Sequence, residues 1–128
     1  MSKTIVTSKN APAPIGPYNQ AVWYGDVLFV SGQIALDPAT GELVLDSIEI
    51  ETDRVLKNLE GILHTAGLTF ENVLKCSVFV TDMNDFSKIN AVYGKYFKEE
   101  TAPARELVQV AALPRFVHVE ISLIAGRQ

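Results

Sequence analysis

Arg105 and Glu120 are the residues whose types and settings could do chemistry in this chain. Both stand in the C-terminal third, which reads as two apolar strands joined at Leu113-Pro114-Arg115. Arg105 opens the first strand just after Pro103, whose fixed φ stiffens the approach. Glu120 lies in the middle of the second, between Val119 and Ile121. A charged group is seldom buried without a partner or a task. Arginine presents a planar fork that grips a carboxylate through two hydrogen bonds. A carboxylate drawn out of water holds its proton more tightly, which suits it to take up and return one near neutral pH. On neighbouring strands the two would bind an acid and activate a water. The plainer alternatives are a surface or interface salt bridge for Arg105, for example with Glu106, and an interface ion pair for Glu120.

The elements that must position these groups follow from pattern. Residues 10–17 hold three prolines and a glycine, so they run extended or turning and deliver Tyr18 on a stiff backbone. Residues 19–23 and 27–36 read as strands around a turn at Tyr24-Gly25-Asp26, and Asp37-Pro38-Ala39-Thr40-Gly41-Glu42 is a second turn. Ser31-Gly32-Gln33 interrupts the second strand, and a strand glycine marks a bulge or a close approach to a ligand, or else a simple kink of the sheet. From Ser47 the apolar period becomes helical, through Ile48, Thr52, Val55, Leu59, Ile62 and Ala66, with Gly67 as the stop. Residues 73–81 form an interior strand that includes Cys76 as a core thiol. A second helix is expected over residues 85–98, capped by Asp82 or Asn84. Its buried stripe would be Phe86, Ile89, Tyr93, Tyr96 and Phe97, with Asn90 as an amide that needs a partner.

The order strand-strand-helix-strand-helix-strand-strand suits an α+β sheet with both helices on one face. The opposite face would then expose Val, Ile, Leu and aromatic side chains, which predicts an obligate oligomer. Alternation puts Arg105, Leu107 and Gln109 on one side of their strand, and His118, Glu120 and Ser122 on one side of theirs. The register between those two strands stays open, because a slip of one residue flips every side chain.

Composition narrows the function classes. The 128 residues are 48% hydrophobic with a net charge of −4, so the chain can build one domain with a core and lacks the basic face that nucleic acid requires. No apolar run reaches the length of a membrane span, and the N-terminus lacks a signal-like apolar core. The single cysteine excludes an internal disulfide and fits a cytoplasmic protein. His64, Cys76 and His118 have no metal-ligand spacing, so metal binding finds little support, and no phosphate-binding or dinucleotide motif occurs.

Several segments together resemble the RidA/YjgF family of reactive intermediate deaminases. They are Ala13-Pro14-Ile15-Gly16-Pro17-Tyr18, Val30-Ser31-Gly32-Gln33-Ile34, residues 37–42, residues 78–86, Asn90-Ala91-Val92-Tyr93, Pro103-Ala104-Arg105, residues 110–114 and Val119-Glu120-Ile121. The resemblance covers nearly the whole chain. It implies a chorismate-mutase-like α+β domain over residues 1–128, assembled as a homotrimer with clefts between subunits. It also implies hydrolysis of 2-iminobutanoate, 2-iminopropanoate and related imino or enamine acids, released by pyridoxal-phosphate enzymes, to 2-oxo acids and ammonia without a cofactor. By the same resemblance Arg105 and the Gly32 N–H would hold the substrate carboxylate and Glu120 would direct the water. Tyr18, Phe86 and Asn90 would line the pocket. Glu106 and Leu107 depart from the hydroxyl residue and the cysteine common in the family after the arginine, and Leu107 is expected to shape the pocket. The alternative is a non-catalytic member that binds a 2-oxo or hydroxy acid as a regulator.

Overall fold

The computed structural model describes residues 2–128. Six strands form one mixed sheet: β1 (Thr4–Val6), β2 (Ala21–Tyr24), β3 (Val27–Gln33), β4 (Val73–Val80), β5 (Ala104–Gln109) and β6 (Val119–Gly126), in the order β1-β2-β3-β6-β4-β5. Two helices, α1 (Ile48–Thr65) and α2 (Phe86–Tyr93), complete it. Along β6 the pattern is strictly alternating: Val119, Ile121, Leu123 and Ala125 are buried, and Glu120, Ser122 and Ile124 are half-buried. The buried set meets Val55, Leu56, Leu59, Ile62 and Leu63 of α1 in a continuous core. The other face of the sheet leaves Tyr24, Phe29, Leu74 and Val108 exposed.

Helix α1 begins where Ser47 Oγ accepts from the Ile50 N–H at 3.1 Å, and it stops at Gly67, whose φ of +80° a β-carbon would strain. Helix α2 is shorter than its pattern suggests. It ends at Gly94, and the chain continues in single turns to Phe97. Phe86 consequently sits at its exposed start, while Val92 joins Ile89 and Tyr93 on the buried side. Asp82 caps the short 3₁₀ turn before the helix, through the Asn84 N–H at 2.9 Å.

The principal difference from the sequence reading concerns the last two strands. They are not neighbours. β6 pairs antiparallel with both β3 and β4, and β5 pairs parallel with the far side of β4, at the sheet edge. The chain reaches β5 by the β4-α2-β5 crossover, as a parallel pair requires. Sequence proximity misled here because residues 110–118, between the two strands, look like a hairpin turn but carry the chain across β4.

Before β2 the chain crosses α1 at Gly61. Ser8 Oγ donates to Gly61 O at 3.2 Å, and an added β-carbon on Gly61 would lie 2.4 Å from the Asn10 carbonyl oxygen. Gly61→Ala would gain helix propensity of about 1 kcal/mol, yet it must push this strap away. A net loss of about 1–3 kcal/mol and a lower Tm are expected. An unchanged or higher Tm in thermal unfolding would show that the crossing is not tight.

Candidate functional site

The register of β4 with β5 aligns Cys76 with Arg105 and Val78 with Leu107, so both β5 residues lie on the helix-facing side. Glu120 pairs with Phe79 on the other side. Arg105 and Glu120 are therefore two strand spacings apart across the sheet and three residues apart along it, roughly 14 Å in backbone, and on opposite faces. One chain does not bring them together. It builds two separate recesses instead.

The first surrounds Glu120. Its recess, of about 80 Å³, is lined by Ile15, Tyr18, Gly32, Ile34, Pro114 and Arg115 among others. Gly32 belongs to a bulge: β3 takes three steps from Val30 to Gln33 while β6 takes two from Leu123 to Ile121. A β-carbon on Gly32 would lie 2.9 Å from Glu120 Cδ, so the glycine lets the carboxylate rest here and a larger residue would turn that side chain aside. Of the two readings for this glycine, the bulge is present, and the near neighbour of its backbone is the Glu120 side chain. Burial raises the Glu120 pKa above its ordinary value.

Three buried polar side chains that pattern reading passed over hold the walls of this recess. Gln20 Nε2 donates to the carbonyls of Ser8, Ala11 and Pro12 at 3.1, 3.2 and 2.8 Å and fixes the proline-rich loop that carries Tyr18. Asn58 Nδ2, from α1, donates to Ile34 O and Leu36 O at 3.2 and 2.9 Å. Glu51, also on α1 and 1% exposed, accepts from the backbone of His118 and Val119. Asn58 and Glu51 both fall within the apolar stripe of α1. A polar residue at such a position was the available signal.

The second recess surrounds Arg105. Its guanidinium lies over the Tyr93 ring, 4.7 Å from the centroid, and 5.9 Å from that of Phe86. Arg105 Nη1 donates to Asn90 Oδ1 at 2.8 Å, so Asn90 is exposed, with the arginine as its partner, rather than buried. Among the described residues no carboxylate lies within ion-pairing distance of Arg105. An open cleft of about 650 Å³ adjoins it, lined by Asn90, Tyr93, Gly94, Pro103 and neighbours. Leu107 packs half-buried against the core and does not line that cleft. Burial also pushes the pKa values of Tyr93 and Cys76 up, which keeps both neutral beside the cation.

Glu106 does not pair with Arg105. It faces the opposite side of β5, 3.0 Å from Lys75 Nζ, and accepts from Ser77 Oγ. These contacts lower its pKa. His118 does not neighbour Glu120 either. Its Nδ1 lies 2.7 Å from Glu51 Oε1, toward α1.

The family model described as endoribonuclease L-PSP matches residues 8–126. The chain belongs to this family, the RidA/YjgF family. A RidA/YjgF relative from Mus musculus, 2-iminobutanoate/2-iminopropanoate deaminase, is 46% identical over 96% of this chain and 90% of its own. Among solved structures, a Rid-family protein of Yersinia pestis superposes with a TM-score of 0.95 at 44% identity, covering 98% of this chain and 100% of that one. E. coli TdcF with bound serine superposes at 0.91 with 43% identity over 98% and 99%. The six-stranded mixed sheet with two helices is accordingly the fold of the family.

The raised pKa of Glu120 has a consequence for stability. The folded state holds the Glu120 proton more tightly than the unfolded chain does. Stability therefore falls as pH rises from the ordinary carboxylate range through the raised value, and the loss persists above it. Glu120→Gln removes that cost. The variant is expected to melt above wild type at pH 7 and level with it near pH 3, where both side chains are neutral. Equal melting temperatures at pH 7 would mean that the carboxylate is fully solvated.

Proposed function

We propose that this protein is an imine deaminase, hydrolysing 2-imino and enamine acids to 2-oxo acids and ammonia, at sites completed between copies of the chain. The observation that carries the reading is the pair of half-sites: a guanidinium with no carboxylate partner on one face, and a desolvated carboxylate beside Gly32 on the other. The deaminase name of the mouse relative supports the reaction. The serine in E. coli TdcF supports a small carboxylate-bearing ligand for such a site. The apolar outer face, with Ile15 77% and Phe116 82% exposed near the Glu120 recess, supports assembly, in three copies by the family resemblance.

In this reading Arg105, aligned by Asn90 and the Tyr93 ring, holds the substrate carboxylate. The Gly32 N–H assists it from the neighbouring copy. The iminium carbon is already electrophilic, so the protein has mainly to orient a water and move protons. Glu120 takes a proton from the water as its oxygen bonds to C2, giving a carbinolamine. It returns that proton to the nitrogen. The C–N bond breaks as the hydroxyl oxygen forms the C=O bond of the 2-oxo acid, and the hydroxyl proton passes to Glu120 and on to the departing ammonia, which leaves as ammonium. No metal or organic cofactor takes part. An RNA-cleaving role has less support, since the chain carries a net charge of −4 and no Lys/Arg run.

The test uses freshly generated 2-iminobutanoate, with ammonia and 2-oxobutanoate release measured above the spontaneous rate. Arg105→Ala is expected to lose about 30- to 100-fold in kcat/KM, the worth of a charge-assisted grip. Glu120→Gln is expected to lose about 10²- to 10⁴-fold in kcat. Each variant alone is nearly inactive, but equal amounts co-refolded should regain about a quarter of wild-type activity. Every mixed ring of three contains one site with both groups intact. No regain would mean that Arg105 and Glu120 do not share a site across copies. No acceleration by assembled wild type would overturn the deaminase reading.

A further inference from the structure

Glu51 is the only acidic side chain among the described residues that is fully buried, and its surroundings show how it is tolerated. Its Oε2 accepts from the His118 N–H at 2.7 Å and from the Val119 N–H at 3.1 Å, and its Oε1 lies 2.7 Å from His118 Nδ1. A buried carboxylate is costly unless such donors surround it. The converse matters as much: the two amides at the start of β6 have this carboxylate as their acceptor, from a helix 67 residues earlier.

The segment that Glu51 anchors is unusual. Arg115 and Phe116 both adopt left-handed backbone, with φ of 54° and 57°, a conformation that non-glycine residues seldom hold twice in succession. Such a segment persists only when its surroundings fix it. One of its ends is fixed by Glu51. The same segment supplies Pro114 and Arg115 to the Glu120 recess, and Glu120 is the residue after Val119.

We propose that Glu51 is a positioning residue: it latches the 114–119 segment to α1 and thereby sets the Glu120 carboxylate against Gly32. The inference rests on the deaminase reading for its kinetic test, but not for its spectroscopic one. His118 contributes the third contact from its ring, which is half exposed, so it seals the latch rather than carrying it.

The experiment compares Glu51→Ala, Glu51→Gln and His118→Ala with wild type in the assembled protein. With 2-iminobutanoate, Glu51→Ala is expected to lower kcat roughly tenfold to a hundredfold, the effect of a small misplacement of a reacting group. KM should stay within about twofold, because the Arg105 recess is untouched. Glu51→Gln keeps a carbonyl for the two amides and should recover most of kcat. His118→Ala should lose less than Glu51→Ala. A second readout follows the Glu120 carboxyl carbon by NMR, assigned by its disappearance in Glu120→Gln. In wild type it should titrate above the ordinary glutamate range, and in Glu51→Ala it should move back toward that range as water enters. Should wild type fail to turn over the imine, the deaminase reading falls, and the titration still decides the role of Glu51. A Glu51→Ala protein with wild-type kcat, or with an unmoved Glu120 titration, overturns the inference. So does a Glu51→Gln variant as impaired as Glu51→Ala at equal Tm.

Discussion

The pairing of β6 with β3 on one side and β4 on the other is the contact on which the rest of the molecule depends. It pushes β5 to the edge and forces the crossover through α2. It also fixes which face each functional group sees. Side chains alternate along a strand, so the register that buries Val119 and Ile121 against the helices turns Glu120 outward. The parallel register of β5 on β4 turns Arg105 inward, toward Asn90 and Tyr93. Neither group could change face without taking its strand's whole apolar set with it.

What the sequence conveyed was mostly what repeats. The long stripe of α1, its stop at Gly67 and the alternation of β6 are periodic signals, and each appears close to where pattern put it. The interruption at Ser31-Gly32 was legible because a glycine leaves an apolar strand with no side chain to pack, which a regular ladder does not favour. The partner of a strand is another matter. Pairing is decided by contacts distant in sequence, and nothing in residues 104–126 distinguishes a hairpin from two strands separated by a third. The length of α2 was misjudged for a local reason: aromatic residues at helical spacing continue past Gly94, but the backbone there has left the helix.

The candidate site divided along the same line. Arg105, Glu120 and Gly32 stood out as residue types in unusual places. Gln20 did not, because it looks like an ordinary polar residue until its burial is known, and Asn58 and Glu51 showed only as polar residues within the apolar stripe of α1. Their work is to satisfy backbone groups of loops that cannot pair within the sheet. Two of them come from α1, so the helix that forms the core also holds the loops around Glu120. Stability and site geometry are therefore carried by the same element.

The bulge between Val30 and Gln33 has a consequence of a different kind. It stores one surplus residue, with Leu28 and Val30 facing the core on one side of it and Gln33 buried on the other. Deleting one residue there would leave two steps against the two of β6, a regular ladder with both flanks of β3 still facing as they do. Replacing Ser31 asks only whether a new side chain fits, whereas removing it would straighten the ladder and take away the bend that sets the Gly32 backbone beside Glu120. The surplus residue therefore decides where the Gly32 backbone lies, and leaves unchanged which way the flanks of β3 face.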